Sequence, residues 1–290
     1  MTINNEICSI IYNEMNLFLD RMNEDFQNNY DKKKYNWTLK GFDSKLISYM
    51  AFVSSFESKQ GNMFESIIRE ICKLNYGEEN VPSTIKGVGI SDEEYENFVR
   101  NFNKPKQQII SKFDKKKNAG VLTQFRADRE AHGSRKNRIP STLTQSELPK
   151  LLDIDFEVSE KIVAQEADLI FYDKFEDKWK LFEIKAGGNL DSSNTRSNVV
   201  KMLRIYSSFG NKNANMYFAT LYHKDGEGNT WTGGVKKHLS EECILIGKAF
   251  WEQAVLRDIP YSDFEDSYQK AFEDICFNDK LIELIDKYGQ

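Results

Sequence analysis

Two short apolar runs separated by four polar-centred residues constrain this chain more than anything else in it. Ala167–Asp173 and Lys178–Lys185 are rich in Leu, Ile, Phe, Tyr and Trp, and Lys174-Phe175-Glu176-Asp177 lies between them. Runs this short, joined by a polar connection, predict a β-hairpin, with Gly187-Gly188-Asn189 ending its second strand. Asp173 then sits opposite Lys178, and the same register carries Asp168 opposite Glu183. Opposed residues on an antiparallel pair share a face, about 4.5–5.5 Å apart at Cβ. Side chains alternate along a strand, so Glu183 and Lys185 point one way while Ile184 enters the core. Two facing carboxylates repel unless something neutralises them, and a divalent cation such as Mg2+ accepts hard oxygen ligands of this kind. Lys185 falls within reach of a water or phosphate oxygen at such a site. The same residues could form a surface salt-bridge ladder. Their interruption of apolar strand sequence favours the site.

The first hundred residues read mostly as helix. Ile7, Ile10, Ile11, Met15, Leu17 and Phe18 recur near helical spacing before a polar stretch, Asn23–Lys34. Phe42–Phe56 and Asn62–Leu74 predict two further helical segments divided by Gly61. Ser91 with Glu94 is a capping box, which opens a short helix through Phe102. After Leu151 the pattern changes to strands alternating with helices. Ser193–Phe209 reads as helix, Ala214–Tyr222 and Cys243–Ile246 as buried strands, and two amphipathic helices follow, near Lys248–Arg257 and Ser262–Ile275. The expected fold is α/β: a mixed central sheet flanked by helices, after an N-terminal helical region. The expected divisions are 1–103 helical, 104–150 basic, and 151–290 the α/β core, all in one integrated domain.

Charge sharpens the functional reading. The net charge is −5. From Lys104 to Arg138, however, eleven Lys or Arg stand against three acids, so this segment carries +8 on a body of −13. A basic stretch on an acidic body is a footprint for phosphates, or a solvated loop. Four cysteines without a CxxC and three scattered histidines argue against a disulfide scaffold or structural zinc. The longest nearly apolar run, Leu46–Val53, is far short of the ~20 residues of a membrane span, and the expected location is the cytoplasm.

Asp168 with Glu183-Ile184-Lys185 resembles the PD-(D/E)XK nuclease motif of type II restriction endonucleases, with Ala167 where Pro is usual. The longer run Phe182–Asn194, with Asp225–Trp231 and Ile246–Trp251 downstream, resembles the TdeIII-type enzymes. The motif match covers about a third of the chain. The resemblance implies a restriction-endonuclease-like fold and a Mg2+-dependent enzyme that cuts double-stranded DNA at a short, GGNCC-like palindrome. In that reading Asp168, Glu183 and the Ile184 carbonyl hold the metal, Lys185 orients the attacking water, and the product ends carry 5′ phosphate. A two-fold symmetric site implies a homodimer, and a cognate DNA methyltransferase is the functional partner. Ser54–Glu65 resembles the helix that adds a further carboxylate, with Glu65 in the matching place and Glu57 as the alternative. Read from spacing alone, Glu65 could equally pair with Arg69.

Expected DNA contacts are Arg126, Arg129, Arg135, Lys136 and Arg138 in the basic segment, and Arg196, Lys201 and Arg204 on the helix after the motif. The last three could instead be a solvated face. His132, His223 and His238 read as ordinary loop histidines, and Trp231 either packs or stacks on a base. Two other readings stay open. One is a structure-specific or repair nuclease on the same core; the other is a non-catalytic DNA-binding protein whose charged cluster is an ion-pair ladder.

Overall fold

The computed structural model describes residues 3–101, 104, 106–133, 141–188 and 190–289. The chain is a mixed α/β protein that divides into two compact units, one of residues 1–71 with 255–290 and the other of 72–254. Among the described residues no helix is long and apolar enough to cross a membrane.

The first unit is helical. Helix α1 (Ile3–Lys34) carries a buried stripe of Ile7, Ile11, Met15, Phe18, Met22, Phe26 and Tyr30, spaced by three or four residues. Phe26 and Tyr30 continue that stripe through the polar stretch and explain why the helix persists to Lys34. Phe18 meets Phe56 and Phe277, each with ring centroids at 5.4 Å, and Phe26 meets Tyr288. Helix α2 (Ser44–Tyr76) is continuous, where the sequence predicts a division at Gly61. A glycine in a helix interior costs only about 1 kcal/mol relative to alanine. The stripe Ile47, Ala51, Ser55, then Met63, Ile67 and Ile71, is buried on both sides of it. Buried area therefore overrides the local penalty.

The second unit holds all seven strands among the described residues. Strands β1 (Thr84–Lys86), β2 (Gln107–Phe113) and β3 (Val158–Ala167) form one mixed sheet. The short helix α3 (Asp92–Val99) follows β1, opened by the Ser91/Glu94 capping box and ending before Phe102. Strands β4 (Leu169–Asp173), β5 (Lys178–Lys185), β6 (Ala214–Thr220) and β7 (Ile244–Ile246) form a second, in the order β4-β5-β6-β7. β4 and β5 are antiparallel, with Asp173 opposite Lys178 and Leu169 opposite Phe182, the register expected for the hairpin. The chain leaves the first sheet at Ala167 and enters the second at Leu169. Asp168 is the single residue between them.

One side chain joins the sheets across that step. The buried Gln107 amide accepts from the Ile170 N–H at 2.7 Å and donates to the Ile170 carbonyl at 2.7 Å, standing in for strand backbone. Strand β2 also shows that this part of the basic segment is not a solvated loop: six of its seven residues are buried. Helix α4 (Ala119–Ala127) and the single turn α5 (Leu148–Leu151) follow.

Helix α6 (Ser192–Phe209) begins at Asp191, whose side chain accepts from the Asn194 N–H. It ends at Gly210, left-handed at φ 71°, a conformation glycine adopts without steric cost. Its buried face, Val199, Met202, Leu203 and Tyr206, shares one core with Ile109 of β2, Leu181 of β5 and Met216 of β6. This packing fixes α6 beside the Asp168 step. The single turn α7 (Lys248–Phe250) runs on into a π turn, Trp251–Val255, in place of one regular helix. Helices α8 (Tyr261–Asp274) and α9 (Phe277–Gly289) end the chain, the last unforeseen because Cys276 at positive φ separates it from α8.

Candidate active site

Four charged side chains meet where the two sheets join. Asp168 accepts a hydrogen bond from the Ile184 N–H at 2.8 Å, so its carboxylate extends the β4–β5 ladder by one step. Glu183 is 1% exposed beside it. Lys185 Nζ lies 2.5 Å from Glu183 Oε1 and 3.9 Å from Asp168 Oδ2. Lys201 of α6 completes the group, 2.5 Å from Glu183 Oε2 and 3.1 Å from Asp168 Oδ1. Two carboxylates and two ammonium groups thus cancel in charge.

The cancellation is incomplete for Glu183. Burial, and next the neighbouring Asp168 charge, raise its pKa above the ordinary glutamate range despite both lysines. Its Oε2 has the ion contact with Lys201 but no aligned hydrogen-bond donor. For Lys201, burial pulls the pKa down, yet Asp168 and Glu183 outweigh it and leave the ammonium more basic than usual. Arg204, one turn farther along α6, has a half-buried guanidinium whose pKa is lowered by burial, against the pull of Glu183, and its Nε has no partner.

This donor set fits a hard divalent cation. The ionised form of Glu183 is under-compensated, and it shares Lys185 and Lys201 with the neighbouring Asp168 carboxylate. Among the described residues there is no cluster of three or more His, Cys, Asp and Glu. The two carboxylates therefore suit an ion that completes its sphere from backbone carbonyls, water and phosphate, as Mg2+ does, rather than one needing a full protein cage.

The structure brings together Asp168, Glu183, Ile184 and Lys185, and adds Lys201, which the sequence reading placed on a polar helix side. Only the packing of α6 reveals that position. Glu65 lies on α2, in the first unit, half-buried beside the buried stripe. Arg126 is buried, bound to Glu130 at 2.7 Å, and 3.4 Å from His238 Nδ1. Arg129 lies over the Phe125 ring at 3.5 Å and near Glu147. Neither presents its charge freely, because each is paired within its own unit. In the same segment Lys112 pairs with Glu94 and Lys117 with Glu157, so part of its positive charge is answered by acids outside it. Arg196 is exposed and reaches Glu130. Arg135, Lys136 and Arg138 lie outside the described residues. Trp231 packs in the core rather than offering a stacking face, and buried His238 has its pKa lowered to about 4 by burial.

Two carboxylates and two lysines thus meet at the junction of the two sheets, from the head of β4, from β5 and from helix α6. The sequence places the chain within a known family. Residues 3–271 match the family model described as type II restriction endonuclease, HinfI, and the chain belongs to that family. It is a site-specific deoxyribonuclease acting on double-stranded DNA. The match supports the type II restriction endonuclease reading and does not extend to the TdeIII type that the longer motif run resembles. No curated protein and no solved structure matches.

Proposed function

We propose that the chain is a Mg2+-dependent PD-(D/E)XK endonuclease whose reaction centre is Asp168, Glu183 and Lys185. The observation that carries this reading is the buried, under-compensated Glu183 paired with Asp168 at the junction of the two sheets. Asp168, Glu183 and the Ile184 carbonyl would hold the metal. When bound, Mg2+ supplies Lewis-acid stabilisation of charge on the phosphate oxygens and favours ionisation of water. Lys185 donates from Nζ to the attacking water and directs its lone pair at phosphorus. The water oxygen bonds to phosphorus as the bond to the 3′ oxygen breaks. The water gives up a proton to solvent and the departing 3′ oxygen takes one from solvent, leaving a 5′ phosphate and a 3′ hydroxyl. Lys201 and Arg204 supply positive charge to the phosphate from α6, and Arg196 contacts the strand nearby. Arg126 and Arg129 act from behind this surface, while Arg135, Lys136 and Arg138 contact DNA directly.

The enzyme acts as a homodimer on a short palindrome, one active site per strand, alongside a DNA methyltransferase that protects the same site. A GGNCC-like sequence rests on the TdeIII resemblance alone. Digestion of a sequenced plasmid with and without Mg2+, with the ends mapped, tests the metal, the site and the ends. Discrete fragments with 5′ phosphates are expected. Cleavage that follows DNA structure and ignores sequence would support a repair-type enzyme, and absence of any nicking would support a binding protein. Glu65→Gln is expected to lower turnover by at least ~10-fold; if Glu57→Gln does so instead, the additional carboxylate is Glu57.

A further inference from the structure

A second cleft, of about 410 Å³, opens between the first turn of α6 and residues 231–238. Two of its lining residues carry a buried donor without a partner: the Thr195 hydroxyl and the Trp231 indole N–H. Thr195 is 2% exposed and Trp231 4%, so neither can turn to bulk water. The loop backbone presses against both. A Cβ on Gly233 would fall 2.0 Å from the Trp231 ring, and one on Gly234 would fall 2.9 Å from Thr195 Oγ1. Only glycine permits this approach.

The charges of the lining favour an anion. Arg196, Lys236 and Lys237 stand against a single carboxylate, Glu130. Arg126 and Arg196 already bind that carboxylate, at 2.7 and 3.1 Å. Because the Trp231 ring is buried, it offers no face on which a base could stack. A hydroxyl, an indole N–H and three cations form a set dominated by donors. A phosphodiester, whose non-bridging oxygens only accept, complements such a set.

We propose that this cleft seats one backbone phosphate of the DNA, with its deoxyribose, away from the phosphate being cut. The inference rests on the nuclease reading and deepens it. Thr195 and Lys201 are six residues apart on α6, about 9 Å along the helix, comparable to the axial rise of two to three base pairs. The cleft therefore sets the register of the strand relative to the reaction centre.

The test uses the whole protein in Ca2+, with duplexes that each carry one methylphosphonate, a neutral replacement for a single phosphate. At one non-scissile position this replacement should weaken wild-type binding about 10-fold. Lys236→Ala/Lys237→Ala should bind unmodified duplex correspondingly less well, lose little more at that position, and show a salt slope lower by about one unit. Thr195→Val and Trp231→Phe, which keep shape and remove the donors, should show the same loss of sensitivity at that position. Duplex should also shift the Trp231 indole N–H resonance. The inference is overturned if methylphosphonate effects are unchanged in all the variants. It is also overturned if inorganic phosphate shifts that resonance and duplex does not, which would make this a small-anion site. Absence of duplex binding by the wild-type protein would instead overturn the nuclease reading itself, as would undiminished cleavage by Asp168→Asn.

Discussion

The two ends of the β4–β5 hairpin each bury a carboxylate against lysine, and they are opposites in electrostatic design. At the turn, Lys180 lies 2.8 Å from Asp173 and 2.7 Å from Glu176. Asp173 also accepts from the N–H groups of Phe175 and Glu176. Burial pushes the Asp173 pKa up, but Lys180 and the turn donors outweigh it and leave the carboxyl below its ordinary range. At the open end, two lysines fail to bring Glu183 down to its own. A structural ion pair satisfies a buried carboxylate with fixed backbone donors as well as a cation. Glu183 has only lysine partners among the described residues, the arrangement expected of the proposed reaction centre. This difference separates an ion-pair ladder from a site where the sequence pattern of acid and lysine does not.

Substitutions at the two ends should therefore divide into losses of activity and losses of stability. Asp168→Asn, Glu183→Gln and Lys185→Ala are each expected to lower plasmid cleavage by at least roughly 10³-fold, about 4 kcal/mol, while the far-ultraviolet spectrum is retained. Near wild-type cleavage by any one removes that residue from the chemistry. Lys180→Met should do the reverse. It strands the buried Asp173 and is expected to cost about 3 kcal/mol in denaturant unfolding, with cleavage per folded molecule unchanged. A fall in activity without a fall in stability would erase the distinction drawn between the two ends.

A smaller effect carries a sign that pH reveals. Because folding lowers the Asp173 pKa, its contribution is present above the unfolded value near 3.8 and fades as pH falls through the folded one. Asp173→Asn should therefore be less stable than wild type at pH 7 by about 2 kcal/mol, with the gap closing below pH 3.8. A gap that persists unchanged into acid would mean that the turn hydrogen bonds are indifferent to the charge.

What the sequence disclosed depended on how local the governing contact was. The hairpin, its register and the Ser91 cap are set within a few residues, and all follow from pattern. Strand β2 was hidden because its buried Gln107, Gln108 and Ser111 read as polar, and its lysine-rich flanks read as loop. Strand β3 scatters Val158, Ile162 and Val163 over both faces among polar and charged residues, so no apolar face announces it. Lys201 looked like a surface cation, since its partners Asp168 and Glu183 lie far away in sequence. Whether a lysine faces solvent or a carboxylate is decided by helix packing, which periodicity alone does not report.

The Gln107 side chain gives the joined sheets a particular fragility. Its amide nitrogen serves the carbonyls of Pro82 and Ile170 together, while its oxygen receives the Ile170 N–H. Conversion to Glu, by one nucleotide change or by slow deamidation of an ageing protein, keeps the acceptor and abolishes the donor. A carboxylate would then confront two carbonyl oxygens two residues from Asp168. Storage history would consequently be written into the catalytic competence of a preparation through an atom that never meets DNA.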